Sequence, residues 1–465
     1  FWMLRPYQID LVNRARANFV RGLKSQIICL STGGGKTLLT ASMIKSSLEK
    51  GKSALFIVHR RELVEQSSAA FSSLGIPHGI IAAGEPENYE RKVQIASIQT
   101  LTRRLDRLRY EPDLIIFDEC HHTAANNWAE LFSHFSASFK IGLTATPCRL
   151  DGKGLAEFYQ DIVQGPSMAE LIHQGFLSDY KLFAPSVIDV SGVHTKMGDY
   201  IRSELAEIID KPKITGNVIN EYRKLASGKR AAVFCINVEH SKHVVEQFNS
   251  AGIRAEHVDG SSDREYRSAA IDRFRRGETL VLSNVEIFSE GFDISSIECA
   301  ILLRPTKSVS LYLQQVGRAL RPAPGKDFAI IIDHVRNVQM HGLPDEIRDW
   351  SLNGLTKKIK KNELSVKICK TCFAALRITA STCNYCGTTI ASHAEPLDIR
   401  SLGTKDSLTE IDKSKFKKSS IDIDRAKAKT KDELLQLAIS RGMKKPHAWV
   451  YFVMQARQRK KLNLK

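Results

Sequence analysis

Short unbroken apolar runs alternate with longer amphipathic stretches from about residue 25 to residue 335. Runs of that length, bounded by polar punctuation, read as strands covered on both faces, and the stretches between them as crossover helices. Ile27-Ile28-Cys29-Leu30, Ala54–Val58, Val93–Leu101, Leu114–Phe117 and Lys140–Thr144 are the predicted strands of a first parallel sheet, with helices opening at Leu38 and His59. A boundary zone runs from Gly165-Pro166 to about Ala184-Pro185 and holds a helix from Met168 that Gly175 stops. The pattern then repeats. Ala231–Ile236, Leu280–Ser283, Ala300–Arg304 and Ala329–Asp333 read as strands, Asp259–Ser262 as a turn, and Leu311–Arg321 as a helix. The expectation is two tandem α/β domains, residues 1–180 and 181–350, each built on a parallel sheet.

The pattern fades afterwards. Residues 391–429 are polar and weakly periodic and read as a linker. Residues 430–465 read as a basic helical element: Asp432-Glu433 open a helix with Leu434, Leu435 and Leu437 apolar, and a second helix from Pro446 ends in Arg457, Arg459, Lys460 and Lys461. Its Trp449 and Phe452 can pack on the first helix or sit beside the basic residues against DNA; packing is the favoured reading.

Charge sharpens this division. The net formal charge is +17, but residues 1–354 carry 43 Lys+Arg against 41 Asp+Glu, while residues 355–465 carry 25 against 10. An excess of +15 in the C-terminal part points to a polyanion, most simply nucleic acid, with a solubilising tail as the alternative. No apolar run has the length of a membrane span and no secretory leader pattern is present, so a cytoplasmic, nucleoid-associated protein without a membrane partner is expected. Met3 is a candidate start, with Phe1 and Trp2 then belonging to upstream sequence.

Of nine cysteines, Cys29, Cys120, Cys148, Cys235 and Cys299 stand singly. The others form Cys369-x-x-Cys372 and Cys383-x-x-Cys386, ten residues apart. Four thiolates in two such pairs suit tetrahedral Zn²⁺, giving a small zinc element over 365–390 in a reducing compartment. Lys357, Lys358, Lys360, Lys361, Lys367 and Lys370 surround it, so it can be a fold staple, a phosphate-facing patch, or both.

The candidate chemistry lies at strand ends. Leu30-Ser31-Thr32-Gly33-Gly34-Gly35-Lys36-Thr37 joins a predicted strand to a predicted helix. Thr32, Gly33, Gly34 and Gly35 leave backbone N–H groups open to phosphate oxygens, Lys36 reaches the β/γ-phosphates, and the Thr37 hydroxyl can hold Mg²⁺. Only the inner half of the usual phosphate-loop pattern matches, because Leu30 stands where that pattern has glycine. Asp118-Glu119 follows a buried strand, where Asp118 can organise Mg²⁺ and Glu119 can polarise the attacking water. Gln8, in Arg5-Pro6-Tyr7-Gln8, can read an adenine edge or be an exposed helix-start amide. Arg318 and Arg321 lie three apart after Gln314-x-x-Gly317; they read as phosphate contacts supplied across a cleft rather than as surface ion-pair partners.

Taken in order, RPYQ, STGGGKT, DECH, LTATP, NVxxxSEGFD and QxxGRxxR resemble the superfamily 2 helicases over residues 4–335. DECH with QxxGRxxR is similar to the DExH translocases and not to the DEAD-box RNA helicases; within them the chain resembles the bacterial RadD-type DNA-repair helicases and related phage helicases. The resemblance implies two RecA-like domains with ATP between them. Arg5, Tyr7 and Gln8 would recognise adenine, and Gly33, Gly35, Lys36 and Thr37 would hold phosphates and magnesium. It further implies that His121, Thr144 and Thr146 couple nucleotide state to strand grip. Gly291 and Asp293 would line the cleft, and Gln314, Arg318 and Arg321 would face the γ-phosphate. Nucleic acid would lie near Arg60, Thr100 and the Asp259–Ser262 turn. Ser31 and Ser289 depart from the family's frequent proline and threonine. The expected function is an ATP-dependent DNA helicase or translocase in repair, recombination or replication, acting on single-stranded or forked DNA. Single-strand-binding or repair proteins are its candidate further partners. An RNA helicase and the motor of a restriction or defence complex are the alternatives.

Overall fold

The computed structural model describes residues 4–184 and 195–354, apart from 109, 150–152, 197–198, 205–211, 286–295 and 347, with the side chains of 212–217 left aside. Beyond 354 it describes 366–368, 375–377, 382, 389, 409–411, 430–440, 450 and 454. Gly291 and Asp293, the four clustered cysteines, the lysines at 357–361 and 370, Trp449 and Phe452 lie outside the described residues.

The first sheet contains β1 Ser25–Cys29, β2 Ala54–Val58, β3 Gly79–Ile81, β4 Val93–Ser97, β5 Leu114–Asp118, β6 Phe139–Thr144 and β7 Asp161–Gln164, in the order β3-β4-β2-β5-β6-β1-β7. Every pairing is parallel. Alternation along each strand splits the apolar side chains between two cores. Ala54, Phe56 and Val58 enter one with Ile28 and Ile116, while Leu55 and Ile57 enter the other with Ile27, Ile115 and Phe117. Helices α1 Pro6–Val20, α2 Lys36–Glu49, α3 Arg61–Ser73, α4 Ile98–Arg103, α5 Asn126–His134 and α6 Met168–His173 accompany the sheet. The strand expected over Val93–Leu101 ends at Ser97, whose Oγ accepts from Thr100 N (3.4 Å) and starts α4. An apolar run cannot by itself show where such a cap interrupts it.

The second sheet follows the same plan. It contains β8 Asp179–Ala184, then, after a small hairpin of β9 Thr195–Lys196 and β10 Asp199–Tyr200, β11 Ala231–Phe234, β12 Ala255–Val258, β13 Val281–Asn284, β14 Cys299–Leu302 and β15 Phe328–Asp333. The order β12-β13-β11-β14-β15-β8 is parallel throughout. Helices α7 Pro212–Ala226, α8 Val238–Ser250, α9 Arg264–Arg276, α10 Val309–Ala319 and α11 Asn337–His341 belong to this lobe. The edge strand β12 was not expected, because Ala-Glu-His-Val is half polar and buries only its two ends. Two further strands, β16 Val366–Ile368 and β17 Ala375–Arg377, pair antiparallel with each other. β18, Thr409–Ile411, lies within the stretch read as a linker and adds itself antiparallel to β8 at the edge of the second sheet.

The chain leaves α11 and returns to the first lobe. Leu155 N and Ala156 N both donate to Leu352 O (2.7 and 3.0 Å), and Gly354 bridges Lys153. Gly154 permits that approach, since a Cβ there would meet the Leu352 carbonyl oxygen. The Arg348 guanidinium stiffens the returning segment by donating to the carbonyls of His341, Leu343, Pro344 and Glu346. Residues 412–465 form a separate unit, in which α12 Lys431–Ser440 starts at Thr430, whose Oγ1 accepts from Glu433 N (3.2 Å). Leu434 and Val450 are its buried apolar pair.

Candidate active site between the two lobes

Each glycine of the phosphate loop has a different reason to be there. Gly33 and Gly35 have φ of +83° and +80°, the left-handed region that side chains disfavour. A Cβ on Gly34 would meet Leu30, 2.8 Å away, so Leu30 fills the space beneath the loop. A Cβ on Gly35 would strike Gln8 Nε2 at 2.7 Å. Gly35 caps α2, whose first N–H groups and helix dipole therefore face the loop and favour bound phosphate.

Gln8 is buried and spends its amide on that loop. Its Nε2 donates to Gly34 O and Gly35 O (3.2 and 3.1 Å), and its Oε1 accepts from Arg5 N (2.9 Å). Tyr7 Oη donates to Gly34 O (2.8 Å) and accepts from Arg5 Nη1 (3.0 Å); the Arg5 guanidinium lies 4.5 Å over the Phe176 ring. In this structure the RPYQ segment braces the phosphate loop through its carbonyls.

Glu119 adopts φ +47° and ψ +54°, a left-handed conformation rare for a non-glycine residue, directly after the end of β5. Its Oε1 lies 3.1 Å from Lys36 Nζ, and its Oε2 3.4 Å from His121 Nδ1. Burial opposes the Lys36 charge, but the Glu119 and Asp118 carboxylates outweigh it and raise the ammonium pKa. Burial, with repulsion from Glu119, pushes Asp118 up to about 6. A buried Glu119 with half-buried Lys36 and Asp118 beside it, one acid strongly shifted, makes a site prepared for compensating charge. Thr37 is exposed on the first turn of α2, where its hydroxyl and the Asp118 carboxylate are the candidate magnesium holders.

The second lobe closes on this group through α10. Thr144 Oγ1 lies 3.5 Å from Glu119 Oε2 and accepts from Thr146 N (3.1 Å); Thr146 Oγ1 donates to Ser310 Oγ (2.6 Å) on α10. A Cβ on Gly317 would stand 2.7 Å from Thr32 Cβ, so α10 rests directly on the phosphate loop. Arg318 is buried and its charge acts on Lys36. Arg321 Cγ lies 3.8 Å from where a Gly33 Cβ would be. The end of this helix is fixed by Ser178 N donating to Leu320 O (2.8 Å). Lys326 Nζ donates to Arg321 O (2.7 Å), Ile297 O (2.9 Å) and Ala319 O. Two buried polar atoms, Thr32 Oγ1 on the loop and Gln314 Nε2 on α10, have no hydrogen-bond partner among the described residues; such atoms suit a site built for a polar ligand.

The expected site residues thus divide. Lys36, Asp118, Glu119, His121, Thr144, Thr146, Arg318 and Arg321 converge on one cleft, and Gln314 lies buried on the same helix as Arg318. Arg60 and Thr100 lie apart, at the carboxyl ends of the neighbouring strands β2 and β4. Arg60 Nε donates to His59 Nε2 (3.0 Å), and the buried Thr100 hydroxyl accepts from Ser97 Oγ (2.9 Å) within its own helix cap. Ser310, Ser178 and Lys326 carried no signal in the sequence, because a serine or lysine that serves a distant carbonyl or hydroxyl looks like any surface residue.

Two families match the chain: "Type III restriction enzyme, res subunit" over residues 2–149 and "Helicase conserved C-terminal domain" over 210–323. A 51.5 kDa protein of a Lactococcus phage (isolate 7-9) is 36% identical over 358 residues, covering 76% of this chain and 76% of its own length. IRC3 of Saccharomyces cerevisiae, an inferred ATP-dependent helicase, is 31% identical over 72% of this chain; the chain spans only 51% of that longer protein. Among solved structures, a fragment of an HsdR-type subunit of a type I restriction enzyme from Vibrio vulnificus YJ016 has the same fold. Its TM-score is 0.59 at 23% identity, covering 73% of this chain and 66% of that one.

Proposed function

The chain belongs to the DExH-type superfamily 2 helicases, ATP-hydrolysing helicases and translocases, and from that premise we propose that it moves on or unwinds DNA. The observation that carries the reading is the convergence of Lys36 and Glu119 from one lobe with Arg318 and Arg321 from the other. ATP held there is gripped from both sides. Thr32–Thr37 cradle its phosphates and Glu119 orients and deprotonates water; Thr37 and Asp118 would hold Mg²⁺, which would supply charge neutralisation to the phosphates. Hydrolysis removes the bridging γ-phosphate, so the lobes separate and the strand-contacting surface moves with them. Arg5, Tyr7 and Gln8 set the adenine side by fixing the loop beneath it.

DNA is favoured over RNA by the restriction-enzyme family that the first lobe matches, since restriction enzymes act on DNA, and by the basic C-terminal part. That same likeness favours a second reading, a restriction or defence motor that translocates without separating strands. The test is ATP turnover with single-stranded DNA, forked DNA, duplex DNA and RNA, followed by strand separation on the fork. DNA-stimulated turnover with unwinding is expected. Stimulation without unwinding selects the second reading, stimulation by RNA alone selects an RNA helicase, and no stimulation ends the translocase reading. A role in repair and contacts with single-strand-binding or repair proteins are the wider setting of this proposal. Among the described residues no helix is long and apolar enough to cross a membrane.

The cysteine pairs are assigned to one structural Zn²⁺. The pairing of Ile368 with Ala375 brackets Cys369 and Cys372, and the bridge between Thr382 and Thr389 brackets Cys383 and Cys386. Metal analysis of the full chain is expected to find one equivalent of zinc; a metal-free, fully folded chain would remove the assignment.

A further inference from the structure

The two lobes are joined twice. Chain continuity makes the first crossing, over residues 165–178, where a Cβ on Gly33 would stand 2.7 Å from Leu177 Cδ2. The second crossing is docked: segment 343–354 leaves α11 of the second lobe and ends on the core of the first. A hinge with one crossing swings freely. A second attachment closes a ring, so that the lobes meet at a raised effective concentration.

The root of this segment is tied to the helix that carries Arg318. From α10, Tyr312 Oη donates to Gly342 O (3.2 Å), and its ring stacks on His341 at 5.3 Å. From β8, Tyr180 Oη donates to Asp345. The four carbonyls that accept from Arg348 gather the same turn into a fixed knot. Past it, Pro344 and Trp350 border a groove that Leu313 of α10, Met168 of α6, and Ser31 and Thr32 of the phosphate loop also line. The tip then belongs to the first lobe. Leu352 packs there on the core that holds Phe117, Leu131 and Tyr159, and its carbonyl takes the Leu155 and Ala156 N–H groups. Gly154 is glycine for this contact alone: its φ lies outside the left-handed region, and the nearest neighbours of a Cβ there are Leu352, Asn353 and Gly354. Asp349, Trp350 and Ser351 separate Arg348 from Leu352, a reach of at most about 14 Å. With both ends held, the lobes part no further than that reach allows.

We propose that segment 343–354 is a tether that presets the closed arrangement of the lobes, with Leu352 as its positioning residue, so that Arg318 and Arg321 stand beside the phosphate loop without ATP supplying the closing force. This rests on the reading of the cleft as a shared ATP site. Apparent affinity falls in proportion to the fraction of chains in the competent state, so loss of the tether acts on ATP binding and spares the chemical step once ATP saturates.

The test uses the full chain and reads steady-state ATP turnover together with hydrogen exchange at the Leu155 and Ala156 amides. Gly154→Ala drives a methyl group against the Leu352 carbonyl. It is expected to free both amides and to raise KM for ATP about tenfold, the scale of one or two lost hydrogen bonds, with kcat unchanged. Leu352→Ala, which withdraws the tip from the core, is expected to act in the same direction, and Leu352→Met to behave as the parent. That pair decides the matter if Gly154→Ala fails to fold. Freed amides with the parent KM, or a fall in kcat as large as the rise in KM, overturn the tether. Amides that stay protected in both Gly154→Ala and Leu352→Ala overturn it too, since these contacts then do not hold the tip. A parent chain that hydrolyses no ATP fails at the earlier step, the functional reading itself.

Discussion

Glu119→Gln is expected to lower ATP turnover about 10³-fold, the scale of a lost general base, while ATP still binds. The substitution keeps the shape of the side chain. Its amide oxygen can still accept from Lys36 Nζ, now 3.1 Å from Oε1, but it cannot take a proton from water. Removing the Glu119 charge also removes the second cause of the raised Asp118 pKa, so Asp118 ionises more readily and its hold on Mg²⁺ is kept or improved. The variant should therefore remain a trap for ATP: normal affinity for a fluorescent nucleotide, near-zero phosphate release. Lys36→Ala separates the roles, because it removes the phosphate contact and should lose nucleotide binding itself. Turnover in Glu119→Gln within a few-fold of the parent would move the water-activating role to another group.

The pairing of Lys36 with Glu119 shows how much of this site could be read before any coordinates. Both residues announce themselves by sequence, Lys36 after a run of glycines and Glu119 after a buried strand, because phosphate cradles and strand-end acids demand fixed residue types at fixed spacing. The two sheets were legible for a related reason. β2, β5 and β15 are apolar along nearly their whole length, as strands covered on both faces must be. β12 escaped because an edge strand may bury only alternate or terminal positions, and α4 because its cap, Ser97, is an ordinary serine until its Oγ meets Thr100 N. Gln8 was recognisable as special but not for what it does here, since an amide can serve a base edge or a backbone carbonyl equally well. The relay through Thr146 and Ser310 was the least legible. Nothing in a sequence marks two hydroxyls 164 residues apart as partners at 2.6 Å.

Arg321→Ala is expected to reduce turnover about 10³-fold or more, as removal of an arginine that stabilises transferring phosphoryl charge does, with nucleotide binding largely retained. Arg318→Ala should fall in the same range but with a larger loss of ATP affinity, because Arg318 is buried on α10 where its charge acts on Lys36 beside the phosphate loop. The distinction follows from placement. Arg321 lies just past the end of α10, its backbone carbonyl held by Lys326 and Ser178, which fixes the root of its side chain beside Gly33. Arg321→Lys should not restore the rate, since an ammonium cannot match the planar fork that grips two phosphate oxygens. The contact of Gly317 with Thr32 already sets α10 on the phosphate loop, so the second lobe needs little travel to reach the γ-phosphate. Phosphate release from single turnovers, compared with nucleotide affinity, reads both effects. If Arg318→Ala and Arg321→Ala each turn over ATP at the parent rate, the two lobes do not share the nucleotide, and hydrolysis is the work of the first lobe alone.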